Sequence, residues 1–310
     1  MSLIDKLKEI EIKPHGFQYR DFLDNGGIVI SPSGLRNFIE SPSAWKTNTV
    51  DKIKTFSGNL NTQMGSYIHL YAEYYYNNRL TKENKLPKVV KDAFFEKNQD
   101  IDLGSYIDKK NTIRMDNYLD LLCEALREEY LEIYTKPLEW EQYFEYKITD
   151  DVMIAGSYDA LSEELAFDGS QEELVMVDFK STGTTLNEKS LLGYILQLSV
   201  YCQAYKNLHS REPTRIRIVA IVKTQKPKIQ ILECKPNYEL AKRIVNDSYN
   251  AIRFTKGEDL TREEYEALIF KENIYSFTMN EEQIKKIIGE VSIITGGERQ
   301  VKKIVKSVFG

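Results

Sequence analysis

A strand that ends in an acid and a lysine is the feature that most constrains the fold of this chain. In the segment ELVMVDFKST, residues 173–182, apolar side chains lead into Asp178, Phe179 and Lys180. Because side chains alternate along a strand, Asp178 and Lys180 point to one face and Phe179 to the other. A buried ion pair contributes little net stability, since desolvation offsets much of the attraction. The pair is therefore either a strand-end ion pair or part of the wall of a cleft.

The spacing of apolar residues changes from a helical to a strand period in the middle of the chain. Residues 63–80 and 87–134 have helical spacing. The sequence then predicts strands at 141–150, 152–161 and 173–182, a helix at 191–208, strands at 214–224 and 228–234, and a helix at 237–255. This order predicts an α/β protein with a small mixed sheet flanked by helices.

Three parts are expected along the chain. Residues 1–30 are polar and contain helix breakers, which predicts an irregular N-terminal segment. Residues 31–256 form the predicted main domain, with a helical insertion at about 63–135 and a first helix capped by Ser33. The helical spacing of Val301, Ile304 and Val305 predicts that residues 257–310 are a helical extension.

Composition limits the partners and the compartment. The formal net charge of −5 excludes a uniformly basic surface for nucleic acid, but it allows a local basic groove. Two lysine-rich clusters are either such a groove or ordinary solvated surface: Lys223, Lys226 and Lys228 at a strand turn, and Arg299, Lys302, Lys303 and Lys306 near the C-terminus. The chain has no signal-peptide pattern and no apolar run of membrane-spanning length. We therefore expect a cytoplasmic protein that does not enter a membrane.

A second candidate acid, Asp159, lies before Asp178 in the sequence. The strand before Asp178 ends in GSYDA, which contains Asp159, and neighbouring strands could bring the two carboxylates together. Two close carboxylates repel each other unless a cation lies between them. Mg²⁺ or Mn²⁺ suits a site made of oxygen atoms, and a lysine beside it can neutralise charge on a phosphate. These residue types suit the hydrolysis of a phosphodiester.

The helix after the third strand contributes two polar residues. In QLSVY, Gln197 and Tyr201 are four residues apart and share a helix face. They are either polar edges of a packed helix or the residues that fix Lys180 and bind a nucleic-acid backbone.

The ordered set of GSYD, VDFK and QLSVY resembles the PD-(D/E)XK nuclease superfamily, and more narrowly its RecB-like and phage RecE-type exonucleases. The segment SPSGLRNFIESPSAW is similar to the entry helix of that family, and MGSYIHLYAE is similar to its G-x-x-x-H helix. The resemblance covers about Ser31 to Lys206. It implies a restriction-endonuclease-like mixed sheet with helical additions at both ends.

The resemblance also implies a role for each matched residue. His69, Asp159, Asp178 and the carbonyl of Phe179 would hold one or two Mg²⁺ or Mn²⁺ ions. Asp159, Asp178 and Lys180 would be catalytic, supported by Gln197 and Tyr201. Glu73 lies one turn after His69, so it could hydrogen-bond that histidine. Glu145, on the first strand, is a further candidate acid whose direction the sequence does not fix.

The cysteines depart from one branch of the family. Some relatives hold an iron–sulfur cluster with four cysteines, one of them before the proline of the entry helix. Here Ser41 precedes Pro42, and the chain has only Cys123, Cys202 and Cys234. Too few thiolates remain for such a cluster, so we expect none, and the RecE-like side is favoured.

The resemblance implies a metal-dependent exonuclease that acts on linear duplex DNA in phage-type recombination or repair. It also implies a homo-oligomer that encloses DNA and a single-strand annealing protein as partner. Two alternatives stay open: a structure-specific or endonucleolytic repair nuclease, and a DNA-binding assembly subunit without catalysis.

Overall fold

The computed structural model describes the two ends of the chain only in part and the sheet almost completely. The described residues are 20–40, 45–51, 53, 60–78, 86–97, 114–134, 136–166, 170–186, 188–255, 292–295 and 301–303.

Within these residues, eight strands form one mixed sheet. They are β1 Ile28–Ile30, β2 Glu139–Lys147, β3 Val152–Leu165, β4 Glu172–Thr182, β5 Arg215–Val222, β6 Lys228–Cys234, β7 Ser292–Thr295 and β8 Val301–Lys303. The sheet order is β1-β3-β4-β5-β6-β7-β8, and β2 pairs with β3 along its other edge. The pairs β1–β3 and β4–β5 are parallel, and the other pairs are antiparallel. The mixed sheet confirms the predicted fold class.

Helices cover both faces of the sheet. The described helices are α1 Arg20–Asp24, α2 Pro32–Glu40, α3 Leu60–Asn78, α4 Leu86–Lys97, α5 Met115–Leu126, α6 Glu188–His209 and α7 Tyr238–Thr255. A π-helical turn, Arg127–Leu131, continues α5. Residues of α2, α6 and α7 pack on one face in what we call the first core, and residues of α3, α4 and α5 pack on the other face in the second core. Among the helices that the structure describes, none has the length and apolar character needed to cross a membrane.

The strand β3 is long enough to have two different neighbours on one edge. It pairs with β2 from Met153 to Leu161, so β1 and β4 both lie on its opposite edge. On that edge β1 pairs with residues 152–154 and β4 pairs with residues 160–165. The β3–β4 ladder ends at the pair Ala160↔Val177, although β4 continues to Thr182. The sheet is thus split beside residues 178–182.

Two N-terminal expectations were wrong in detail. Residues 20–30 are not irregular, because they form α1 and β1. A three-residue strand is too short to show a period, and its partner lies in β3. The N-cap of α2 is Ser31 rather than Ser33, since Ser31 Oγ accepts the Gly34 N–H at 2.9 Å. Pro32 takes the first helical position, where its missing N–H costs nothing.

The helical expectation for the C-terminal extension was wrong at β7 and β8. Ser292–Thr295 pairs with β6, and Val301–Lys303 pairs with β7. Short segments rich in β-branched residues fit either period, and the free edge of β6 supplies a ladder for them. Residues 256–291, 296–300 and 304–310, with Arg299 and Lys306, lie outside the described residues.

A buried group of charges lies on the second-core face of the sheet. Arg217, which is 1% exposed, donates to Glu164 at 2.7 and 2.6 Å and to Glu233 at 2.5 Å. Its guanidinium lies 4.2 Å from the centre of the Tyr134 ring. Arg215 adds further ion pairs to Glu164, Glu173 and Glu233. This group ties together β3, β4, β5 and β6.

Candidate active site

The helix α3 places His69 against the backbone of β4. Gly65, one turn before His69, would bring an added Cβ to 3.4 Å from Ser181 Oγ, so the helix packs closely on this strand. The Nε2 atom of His69 lies 3.1 Å from the carbonyl oxygen of Phe179. Because a carbonyl can only accept, Nε2 carries the hydrogen and Nδ1 faces the other way.

Asp159 binds the same residue of β4 from the side of β3. Its Oδ2 accepts the Phe179 N–H at 2.7 Å, and its Oδ1 lies 3.7 Å from His69 Nδ1. The backbone of Phe179 is therefore held by two side chains at the point where the β3–β4 ladder has stopped. Its side chain packs in the second core against Tyr130 and Trp140, at ring-centre distances of 5.4 and 5.5 Å.

Glu141 on β2 is a residue that the sequence did not single out. Its Oε1 lies 3.3 Å from His69 Nδ1. Its φ of 46° is in the left-handed region, which a residue with a side chain rarely adopts. The nearest sequence signal was Glu145, which instead accepts the hydroxyl of Tyr143 at 2.6 Å. An acid on the first long strand was expected, but Glu141 takes that place.

Asp178 and Lys180 form a close pair, as their position in one strand implies. Lys180 Nζ lies 2.7 Å from Oδ1 and 2.6 Å from Oδ2 of Asp178. The Asp178 side chain is 2% exposed and that of Lys180 is 21% exposed, so the ammonium group reaches the surface while its partner does not. Lys180 Nζ lies 5.4 Å from the centre of the Tyr194 ring, and the Arg36 guanidinium lies 4.5 Å from the same centre.

Gln197 and Tyr201 lie in α6 beneath the two aspartates. Gln197 Nε2 donates to the Tyr201 hydroxyl at 3.2 Å, and both side chains are buried. Burial raises the pKa of Tyr201, and the charges of Asp178 and Asp159 add to the rise. Gly156 permits this packing, because an added Cβ would lie 3.1 Å from Pro32 Cδ and 3.8 Å from Tyr201 Cε1. A side chain in place of the glycine of the GSYD motif would therefore press against Pro32.

The charges of the site shift one another's pKa values. Burial alone would lower the pKa of His69, but the charge of Asp159 and the hydrogen bond with Glu141 outweigh it and raise the value to about 9. Burial raises the pKa of Asp178 to about 6, with Lys180 opposing and Asp159 adding to the rise. Burial also raises the pKa of Asp159, against the charges of His69 and Lys180. The two aspartate pKa values are thus raised mainly by burial, and the histidine pKa is raised by its acidic partners.

Three side chains can hold a metal ion together. Ligand atoms of His69, Glu141 and Asp159 all lie within 4.8 Å of one another. With Nε2 committed to the Phe179 carbonyl, a neutral His69 turns the lone pair of Nδ1 toward two carboxylates. A proton or a cation between these acceptors relieves the repulsion, so the donor set fits a divalent ion. One imidazole and two carboxylates suit Mn²⁺ as well as Mg²⁺.

Other expected residues take different positions. The ring nitrogens of His69 face Glu141, Asp159 and the Phe179 carbonyl, and the role expected for Glu73 stays a prediction. The ammonium group of Lys223 donates to Asn61 Oδ1 at 2.9 Å, and the backbone N–H of Lys223 donates to the Thr182 carbonyl at 2.7 Å.

Lys226 and Lys228 are exposed around the β5–β6 turn, at the same end of the sheet as residues 178–182. Cys123 lies in the second core, and Cys202 and Cys234 lie in the first, on opposite faces of the sheet.

Comparison with protein-family models identifies the family. The family model of the PD-(D/E)XK nuclease superfamily matches residues 29–277, which is most of the chain. The chain therefore belongs to the PD-(D/E)XK nuclease superfamily, a class of hydrolytic nucleases that use divalent metal ions.

A likeness in fold is found among solved structures. A protein from Eubacterium rectale described as a "Putative exonuclease" has 16% sequence identity and a TM-score of 0.53, over 78% of this chain and 86% of that chain. At this identity the likeness concerns the fold alone. Scheffersomyces stipitis Rai1 has 10% identity and a TM-score of 0.22 over 84% of this chain and 71% of that chain, which is too low to support a common fold. Comparison with curated proteins gives no match.

Proposed function

We propose that this protein is a Mg²⁺- or Mn²⁺-dependent DNA exonuclease that hydrolyses phosphodiester bonds of linear duplex DNA. His69, Asp159, Asp178 and the Phe179 carbonyl would hold one or two ions. When bound, the ion supplies Lewis-acid chemistry that activates water and neutralises the leaving oxygen. Asp159 also holds the Phe179 N–H, and His69 holds its carbonyl, so the same side chains keep β4 in place.

Lys180 is the residue proposed to bind the phosphate group that is cleaved. Its ammonium group is held by Asp178, yet it remains partly exposed and can donate to a phosphate oxygen as negative charge develops there. Gln197 and Tyr201 are proposed to support this arrangement from α6, since they are buried and the charges of both aspartates act on the Tyr201 hydroxyl.

The observation that carries the proposal is the meeting of three separate motifs at one residue. The G-x-x-x-H helix and the GSYD strand both hydrogen-bond the backbone of Phe179, and that residue lies between Asp178 and Lys180. Burial raises the pKa values of both Asp159 and Asp178, and a protein that only binds DNA has no use for such buried acids. The grouping therefore favours catalysis over the alternative of a non-catalytic assembly subunit.

The direct test is Mg²⁺-dependent release of nucleotides from linear duplex DNA. We expect wild type to degrade the linear form and leave closed circular DNA intact. Asp178→Ala should be inactive, while Asp150→Ala, an exposed acid of the β2–β3 turn, should behave as wild type. Cleavage of the circle would favour the endonuclease alternative. Equal activity of wild type and Asp178→Ala would remove the catalytic assignment.

The lysines of the β5–β6 turn are proposed to bind DNA phosphates. Lys226 is exposed at the sheet end that holds the site, whereas Lys242 is an exposed lysine of α7. Lys226→Gln should weaken binding and reduce the slope of log affinity against log salt by about 1. Lys242→Gln is the matched control and should leave the slope unchanged. Equal slopes in both variants would place the DNA elsewhere.

The biological setting proposed is recombination or repair of phage type in the cytoplasm. From the family resemblance we also propose a homo-oligomer around DNA and a single-strand annealing protein as partner. Light scattering of the purified chain tests the first, since a monomer at working concentration would exclude an enclosing ring. Co-purification with a co-expressed annealing protein tests the second.

A further inference from the structure

We propose that Glu141 is an additional ligand of the catalytic metal ion, and that its own left-handed backbone conformation in β2 brings its side chain into the site. This inference rests on the metal site of the proposed function and adds a residue to it. Neither the sequence motifs nor the family resemblance points to this position.

The register of the sheet places Glu141 in a row of three acids. In β2–β3 the pairs run from Trp140↔Ala160 to Gln142↔Tyr158, so Glu141 stands opposite Asp159. In β3–β4 the last pair is Ala160↔Val177, so the next position would set Asp159 opposite Asp178. Neither of these two acid pairs forms part of the ladder. Like charges directly opposite each other destabilise a sheet, so a row of three acids across adjacent strands needs a compensating charge.

In both β2 and β3, the side chains change to the opposite face of the sheet at this row of acids. Phe144 and Tyr158 pack in the first core, whereas Trp140 and Ala160 pack against the second. Residues separated by an even number should share a face of a strand. The face therefore changes once in β2 and once in β3, at Glu141 and Asp159. In β2 the change is made by the left-handed backbone of Glu141, at a φ of 46°.

The hydrogen bond between His69 and Glu141 is long, and the distances at this point also fit a shared ion. His69 Nδ1 lies 3.3 Å from Glu141 Oε1 and 3.7 Å from Asp159 Oδ1. Charge-assisted hydrogen bonds are shorter, at about 2.7–2.9 Å. Ligands that are each about 2.1 Å from an ion and at right angles to one another are roughly 3 Å apart. A glutamate held in a strained backbone conformation only to touch a histidine weakly would have little to stabilise it.

The test measures Mn²⁺ binding rather than activity. Mn²⁺ is titrated into the full chain and followed by its EPR signal. We expect Glu141→Gln to weaken Mn²⁺ affinity by about 10-fold or more. Glu145→Gln, on the same strand but hydrogen-bonded to Tyr143, should bind Mn²⁺ as wild type does. Equal Mn²⁺ affinity of wild type and Glu141→Gln would overturn the proposal.

A second variant separates the ligand from the fold. Glycine adopts a positive φ without penalty, so Glu141→Gly should keep or raise the melting temperature in EDTA while it weakens Mn²⁺ binding. A fall in the melting temperature together with unchanged Mn²⁺ affinity would mean that Glu141 supports the fold only. If wild type binds Mn²⁺ but does not cut DNA, the proposed function fails and the assignment of Glu141 stands. If wild type does not bind Mn²⁺, both fail.

Discussion

Replacing Arg217 by methionine should destabilise the protein far more than the same change at Arg211. Arg217 is 1% exposed and joins Glu164 and Glu233. Arg211 makes a comparable 2.6 Å contact with Glu163, but its side chain is 52% exposed. The two arginines therefore differ mainly in burial, which makes Arg211→Met the matched control.

The magnitude follows from what Arg217 leaves behind. Without it, Arg215 is the one described cation that pairs with Glu164, Glu173 and Glu233, and Glu233 is 2% exposed. Removing one partner from a buried ion pair costs about 3–5 kcal/mol. An exposed pair contributes at most about 1 kcal/mol. Each kcal/mol corresponds to roughly 2–4 °C for a domain of this size, so Arg217→Met should lower the melting temperature by about 6–20 °C.

Urea denaturation followed by tryptophan fluorescence measures the difference. Trp140 reports on this region, since it packs against Phe179, which also contacts Tyr130. The double variant R217M/E233L should recover part of the loss, because it removes one of the three carboxylates that Arg215 would otherwise have to balance alone. If R217M is no less stable than the control R211M, the buried charges do not stabilise the fold as argued.

The remaining predictions concern the site. Asp159→Asn should raise the melting temperature in EDTA, because it relieves repulsion among the acids. It should also abolish the stabilisation by Mg²⁺, which for wild type is about 2.7 kcal/mol when the Mg²⁺ concentration is 100 times the dissociation constant. An unchanged response to Mg²⁺ would exclude Asp159 as a ligand. Lys180→Met should lower the cleavage rate by about 100-fold or more, as is typical of residues that act in the transition state. The affinity for DNA, measured in Ca²⁺, should change by less than threefold. A loss of affinity as large as the loss of rate would make Lys180 a binding residue. The pKa of Asp178 is about 6 in the folded protein, above its usual value of about 3.9, so the folded state binds more protons and its stability in EDTA should rise as pH falls from 7.5 to 5.5. This rise should be smaller in Asp178→Asn, and an equal rise in both proteins would assign it to other groups.

The sequence predicted the elements whose pattern is local. The strand β6 was predicted at residues 228–234, which are its observed bounds, and the strands β3, β4 and β5 and the helices α6 and α7 were predicted within a few residues. The motif spacing also predicted a metal site made by His69, Asp159 and Asp178. The group of possible ligands that the structure brings together is His69, Glu141 and Asp159, and the role of Asp178 stays a prediction. These features depend on a few neighbouring residues, so a single sequence carries them.

The residues that were missed depend on distant partners. Glu141 is one of several acids in EWEQYFE, and only its register against Asp159 and its left-handed backbone distinguish it. Arg215 and Arg217 alternate with apolar residues, a pattern typical of a strand with one solvent-exposed face. They are buried instead, because acids of β3, β4 and β6 meet them there. Neither the backbone angle nor the meeting of four strands can be read from local spacing.

The site and the split in the sheet have one physical cause. If the β3–β4 ladder continued past Ala160↔Val177, Asp159 would stand directly opposite Asp178, and the Phe179 backbone would bind β3. The strands separate at that step, and side chains replace the lost ladder, since Asp159 takes the Phe179 N–H and His69 takes its carbonyl. The acids that would face each other at that step are also proposed to attract a divalent ion, and Lys180, which is 21% exposed, is proposed to reach a phosphate beside them. A substitution that neutralises Asp159 should therefore do more than remove a ligand: it removes the electrostatic reason for the strands to stay apart.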